Sequence, residues 1–302
     1  MIPRIDASAL RAGDASALAA VREGTRETGF LTLGNTVISG EEVARTIACY
    51  RAFFHQPESV KRAVDMARTG SNRGWGAPQS EQVDPAANPD YKEVFDCGVT
   101  LPGSDPMAHL PVYAPTPWPD APPEFRPVVE GYFAKARAVA LELLRGIAWA
   151  IGADRAYFDD KFDTPMALLR GNYYPARPDW AGERDFGIAA HTDYGCLTLL
   201  ATDGRAGLEV RLRDGSWQPI RAETGEFVVN FGEMLEMWTN GAVKATPHRV
   251  VGGLEERISV PLFFNPNYDT NVAPLGSGLV ITAGEHLTKR YAETYVHLQQ
   301  AR

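Results

Sequence analysis

From Met166 onward the apolar residues repeat with a period of two. The stretches "ALLRGNYYP", "CLTLLAT", "GLEVRL", "WQPI", "EFVVNFG", "HRVVGG" and "RISVPLFFNP" are each the length of a strand, and turn signals such as "DGRAG" and "RDGSW" separate several of them. Successive side chains of a strand point to opposite faces, so a strand with apolar residues on one or both faces must be covered by other structure. Many short, closely spaced strands achieve this by folding into a sandwich or barrel, and the expectation is a jelly roll.

The preceding segment has a different period. Phe125, Val128, Val129, Tyr132, Phe133, Val139, Leu143, Leu144, Ile147 and Ile151 follow the i, i+3, i+4, i+7 rule, which predicts one long helix packed along a sheet. Nearer the start, "IPRID" and "FLTLGN" read as strands, and Ala15 to Thr28, Glu41 to Phe54 and Pro57 to Met66 as helices, the last with proline in its first turn. Residues 69–123 are dense in Gly, Pro, Asn and Asp. Their aromatics (Trp75, Tyr91, Phe95, Tyr113, Trp118) favour an ordered, lid-like region over disorder. "TAGEHLTKRYAETY" closes the chain as a helix, with Thr282 and Glu285 as its capping box. The expected class is α+β with a mainly β core. Residues 1–120 form an α/β region with lid-like loops, and residues 121–302 hold the β core, its support helix and the C-terminal helix, all in one compact unit.

Composition excludes several partners. A net charge of −8 leaves no basic footprint for nucleic acid. No apolar run approaches the roughly 20 residues of a membrane span. The opening "MIPRIDASALRAGDASALAA" lacks a signal peptide's basic-then-apolar layout. Cys49, Cys97 and Cys196 are scattered and odd in number, as reduced thiols of a cytoplasmic protein would be. A monomer and a homodimer are equally compatible with the sequence.

One stretch contradicts its own burial. "FGIAAHTDYGCLTLL" reads as buried β-structure, yet His191 and Asp193 stand two residues apart within it, on one face if the strand is regular. An unpaired buried charge costs on the order of several kcal/mol, so the pair needs a partner. With His248 of "ATPHRVVGG" it makes up a two-histidine, one-carboxylate set, which suits Fe(II) and leaves coordination positions open. The alternatives are a chance dipeptide, an ordinary core histidine and a zinc hydrolase, although the chain contains no H-E-x-x-H. Further on, "RISVPLFFNP" puts Arg257 and Ser259 on one side of a strand with Ile258, Val260 and Leu262 on the other. A guanidinium beside a hydroxyl suits a carboxylate, and an internal acidic partner is the other reading.

The motifs "HTDYGCLTLL", "TPHRV", "RISVPLFFNP" and "RGNYYP" resemble the isopenicillin N synthase-like family of non-haem Fe(II)/2-oxoglutarate-dependent dioxygenases. "IPRID" with its following helices, and "DYKEVFDCG", are similar to further parts of that family, so the likeness spans nearly the whole chain. The resemblance implies a distorted double-stranded β-helix with iron inside one end, held by His191, Asp193 and His248. It implies that Arg257 and Ser259 grip the distal carboxylate of 2-oxoglutarate, with Asn172 and Tyr174 close by. It further implies oxidation of a small-molecule substrate, by default hydroxylation, with O₂ as the second cosubstrate and succinate and CO₂ as products. Arg73, Trp75, Phe95, Phe186, Tyr194, Leu197, Trp238 and Phe264 are the candidate substrate-pocket residues. Three other functions stay open at this stage: an oxidase that needs no 2-oxoglutarate, an ethylene-forming enzyme, and an inactive β-helix that only binds.

Overall fold

Period-two residues sort onto two sheets. The structure, a computed structural model, describes residues 2–69, 71–80, 91–176 and 187–294. Its strands are β1 (Arg4–Asp6), β2 (Phe30–Gly34), β3 (Gly74–Gly76), β4 (Glu93–Gly98), β5 (Leu168–Tyr174), β6 (Ile188–His191), β7 (Leu197–Thr202), β8 (Leu208–Arg211), β9 (Trp217–Pro219), β10 (Phe227–Phe231), β11 (His248–Val250) and β12 (Arg257–Phe264). The large sheet runs β1-β2-β10-β7-β12-β5-β4-β3 and the small one β6-β11-β8-β9. Among these strands only β1 and β2 pair in parallel.

The helices are α1 (Ala7–Ala12), α2 (Ala15–Glu23), α3 (Gly40–Phe54), α4 (Glu58–Arg62), α5 (Phe125–Ile151), α6 (Glu233–Trp238) and α7 (Ala283–Thr294). Helix α5 buries Val129, Phe133, Val139, Leu143 and Ile147 in the main core and lies along β7 and β12. The side of the large sheet that joins this core carries Leu199 and Ala201 of β7, Val229 of β10, and Ile258, Val260 and Leu262 of β12. Alternate residues of β7 and β10, with Tyr174 of β5, face the small sheet. Tyr174, Leu200 and Val228 meet Leu208, Val210 and Val250 there in a second apolar cluster. Period two therefore separates a helix-facing side from the interior of a two-sheet sandwich.

Several expected elements differ in extent. Residues 69–123 are not wholly irregular: β3 and β4 extend the large sheet beyond β5. Strands from both the N-terminal and the C-terminal regions thus belong to one sheet. The helix expected to reach Thr28 ends at Glu23 and continues as a wider, π-type turn over Gly24–Thr28. The helix expected over Pro57 to Met66 covers only Glu58–Arg62. Beyond it the Val64 carbonyl accepts from the Trp75 N–H (2.8 Å) and Asp65 caps a new 3₁₀ turn through the Ala67 N–H (2.9 Å), which ends the helical run. At α7 one half of the expected capping box is present, the Glu285 N–H donating to the Thr282 hydroxyl (3.4 Å), and that hydroxyl donates in turn to the Glu285 carboxylate (2.7 Å).

Candidate active site

His191 ends β6, His248 begins β11, and the two are direct partners in the antiparallel register, their ring centroids 4.4 Å apart. The Nδ1–H of His191 donates to the Ala189 carbonyl (2.8 Å) and that of His248 to the Thr246 carbonyl (3.1 Å). These bonds select the tautomer in which Nε2 keeps a free lone pair. Both Nε2 atoms lie 3.7 Å from Oδ1 of Asp193, and one ligand atom from each residue falls within 4.8 Å of the others.

Asp193 reaches this position by a different route from strand alternation, because β6 stops at His191 and the carboxylate sits in the turn that follows. The start of α6 holds that turn. Its early N–H groups, which lack helical partners, bond to the turn's carbonyls: Glu233 to Asp193 (2.8 Å) and Met234 to Gly195 (3.1 Å). Glycine is required on both sides of the contact. A Cβ at Gly195 would stand 2.0 Å from Oδ1 of Asn265, and one at Gly232 would stand 2.2 Å from the Gly195 carbonyl. Asp193 Oδ2 accepts from the Asn230 amide (2.6 Å) and the Thr198 hydroxyl, which leaves Oδ1 to face the imidazoles.

Electrostatics favour the ligating forms. Burial, reinforced by neighbouring His248, pushes His191 down to about 4, so the imidazole is neutral at pH 7. Burial opposes ionisation of Asp193, but the two imidazoles, Thr198 and Asn230 together hold its carboxyl below the usual range. Two imidazole nitrogens and one carboxylate oxygen form a donor set that a divalent cation completes.

Arg257 and Ser259 project from β12 into the sandwich interior, opposite Tyr174 and Asn172 of β5. The guanidinium lies over the Tyr174 ring, 5.1 Å from its centroid. It is almost fully buried, and its Nε and Nη1 have no hydrogen-bond partner among the described residues. The Asn172 amide donates to Ser259 Oγ (3.3 Å), and its Oδ1 is likewise unpartnered among the described residues. A buried cation with idle donors calls for an anion, so these residues fit a carboxylate.

A cavity opens beside the histidine–aspartate cluster, and Asn172 connects it to Ser259. Tyr194 and Leu197, both candidates from sequence, line it. The other described candidates are absent from its wall because each is committed elsewhere. Arg73 is buried and donates to Asn72 Oδ1 (2.8 Å) and the Val112 carbonyl. Trp75 donates to Glu93 (2.7 Å), and Phe95 packs against Phe53 and Phe125. Trp238 packs on Phe158, and Phe264 stacks on Phe162. Phe186 lies outside the described residues. In their place the wall holds Lys92, Arg170, Ile188, Phe263, Leu287 and Tyr291, with Arg170 paired bidentately to the fully buried Asp96 (2.8 and 2.7 Å). Sequence reasoning also passed over Thr198 and Asn230. The available signal was a lone polar residue in an otherwise apolar strand, the Asn of "EFVVNFG".

Comparison with known proteins gives the family. Residues 2–121 match the family described as non-haem dioxygenase in morphine synthesis N-terminal, and residues 165–266 match the 2OG-Fe(II) oxygenase superfamily. The chain is 32% identical to a 2-oxoglutarate-dependent dioxygenase of Talaromyces stipitatus, over 97% of this chain and 95% of that one. It is 31% identical to a homoarginine-6-hydroxylase of Oryza sativa subsp. japonica, over 90% and 87% of the two chains. Among solved structures, a full-length Neurospora crassa protein in complex with alpha-KG superposes with a TM-score of 0.85 at 29% identity, covering 97% of this chain and 96% of that one.

Proposed function

This chain belongs to the 2OG-Fe(II) oxygenase superfamily, and from that premise we propose that His191, Asp193 and His248 hold its iron while Arg257 and Ser259 hold its cosubstrate. It is an Fe(II)- and 2-oxoglutarate-dependent dioxygenase. The observation that carries the residue assignment is a single carboxylate oxygen equidistant, at 3.7 Å, from two imidazole nitrogens.

When bound, iron with 2-oxoglutarate and O₂ supplies an oxidative decarboxylation, to succinate and CO₂, coupled to oxidation of a substrate C–H bond. The protein's own residues position and shield. Asn230 and Thr198 occupy Asp193 Oδ2 and thereby present Oδ1 to the metal. Arg257 neutralises the distal carboxylate, and Ser259, Asn172 and Tyr174 fix its orientation. Leu168, Ile188, Leu197, Phe263 and Leu287 give the cavity an apolar wall that keeps bulk water from the reacting centre.

The substrate in this reading is a small molecule and the outcome hydroxylation, as the name of the rice relative supports for that protein. The three buried free cysteines support a reducing, cytoplasmic setting. Among the described residues, no helix is long and apolar enough to cross a membrane.

The test is a succinate-release screen over small amino acids, peptides and natural-product precursors, with ethylene measured in parallel and Fe(II) binding measured anaerobically. The expected result is substrate-stimulated succinate, stoichiometric with product and lost in His248→Ala. Wild-type Fe(II) affinity in both His191→Ala and His248→Ala would overturn the ligand assignment. Product formed without 2-oxoglutarate would overturn the cosubstrate assignment, and ethylene as the main product would overturn hydroxylation.

A further inference from the structure

A second polar cluster lies behind the strands that carry the cosubstrate residues, on the face turned toward α3. Tyr173 and Glu256 are the chain neighbours of Tyr174 and Arg257; alternation within β5 sends the Tyr173 side chain away from that of Tyr174, and Glu256, just before β12, meets it on that side. One carboxylate collects three side chains there. Glu256 Oε1 accepts from Arg51 Nε (3.0 Å), while Oε2 meets the Tyr173 hydroxyl (3.1 Å) and His55 Nε2 (2.9 Å). Arg205 donates to the Glu256 backbone carbonyl. Arg51 also reaches Asp203 Oδ2 with its Nη2 (3.3 Å), and that same oxygen accepts the Ile258 N–H (2.9 Å). The residues on either side of Arg257 are therefore tied to a single helical arginine, Glu256 directly and Ile258 by way of Asp203. Tyr173, on the adjoining strand, stacks against Phe54 of α3 at 5.5 Å.

The position of this cluster gives it a purpose. Arg257 is the first residue of β12, and the chain before it, 251–256, belongs to no strand. Its pairing with Tyr174 is the terminal pair of the β5–β12 ladder, where fraying is easiest. A guanidinium that grips a carboxylate must be placed to within about 0.5 Å, and the strand end alone does not provide that constraint.

We propose that Arg51 and Glu256 are positioning residues for 2-oxoglutarate: α3 clamps the start of β12 from outside and so holds Arg257 in its binding geometry. The proposal rests on the reading that Arg257 binds the cosubstrate. An isolated, partly exposed ion pair contributes little to stability. The clamp's effect is on geometry, and it is read as cosubstrate affinity.

The test is anaerobic calorimetric titration of 2-oxoglutarate into the Fe(II)-loaded protein, with Fe(II) affinity measured separately on each variant. Arg51→Ala and Glu256→Ala are each expected to weaken 2-oxoglutarate binding about tenfold, in the range seen for outer partners of ligand-holding residues. The double variant should be no weaker than either single one, because both break the same clamp. Arg51→Lys should restore part of the affinity, and Fe(II) affinity should stay at the wild-type value throughout. Affinity within twofold of wild type in both single variants, with binding abolished in Arg257→Ala, would overturn the clamp and leave the cosubstrate reading intact. Wild-type affinity in Arg257→Ala would overturn that reading, and the clamp with it. A parallel loss of Fe(II) and 2-oxoglutarate binding in the clamp variants would mean general loosening of the fold and would also overturn the proposal.

Discussion

Asn230 in β10 donates to the carboxylate of Asp193, 2.6 Å away in the turn after β6, and so joins a strand of the large sheet to a turn that leaves the small one. The Thr198 hydroxyl reaches the same oxygen from β7. The two sheets meet at the carboxylate that the histidines face, and its orientation is a product of sandwich closure.

Removing these donors should loosen the metal without unfolding the chain. Asn230→Ala and Thr198→Ala are each expected to weaken Fe(II) binding about 10- to 100-fold, whereas Thr198→Ser keeps the hydroxyl and most of the affinity. Anaerobic metal titration checks this, and unchanged affinity in both alanine variants would contradict the orienting role.

Arg257 should discriminate among cosubstrates by their distal charge. Wild-type protein is expected to bind 2-oxoglutarate far better than 2-oxobutyrate, which lacks the distal carboxylate. In Arg257→Ala that preference should fall by about 10- to 100-fold, with Fe(II) affinity preserved. Arg257→Lys retains the charge without the planar fork and should lie between the two. Competition titrations with both oxoacids provide the measurement, and a preference retained in Arg257→Ala would exclude the assignment.

Acid should cancel the contribution of one helix cap. Asp6 caps α1 by accepting from the Ala9 N–H (2.9 Å) and the Ser8 N–H (2.8 Å), and with the Ser8 hydroxyl and Asn35 these bonds lower its carboxyl to about 2. A folded-state value below the unfolded one means the stabilisation is complete above the unfolded value of 3.8 and is lost as pH falls toward 2. Asp6→Ala should therefore melt below wild type at pH 7, and the gap should narrow in acid from about pH 4 downward. Paired melting curves across that range test the sign, and a gap that widens in acid would refute it.

The thiols should be silent in the native state. Cys49, Cys97 and Cys196 are all buried, and burial pushes each thiol above its ordinary range, so little thiolate forms at neutral pH. Alkylation at about pH 8, just under the ordinary thiol range, is expected to be slow on folded protein and to modify all three residues once the chain is denatured. Rapid modification of the folded chain, read by intact-mass spectrometry, would contradict this burial.

The sequence by itself determined which residues alternate and which follow helical spacing, and therefore the strands of the sandwich and the long α5. It also placed a histidine and an aspartate where an ordinary strand would bury them at a cost, and an arginine beside a serine in an apolar strand. Those anomalies were legible because a polar residue in an apolar period is a local signal. Tertiary structure decided what no local period encodes. Trp75, Phe95, Trp238 and Phe264 are as aromatic as any pocket residue, and only the packing of distant elements sends them into the core. Asp193 reaches the histidines through the docking of its turn on α6 rather than by strand alternation. Thr198, Asn230, Leu287 and the α3 clamp enter through contacts between segments far apart in the chain. Periodicity tells a strand which of its faces is buried, but the partner each face meets is set by how the sheets and helices close on one another.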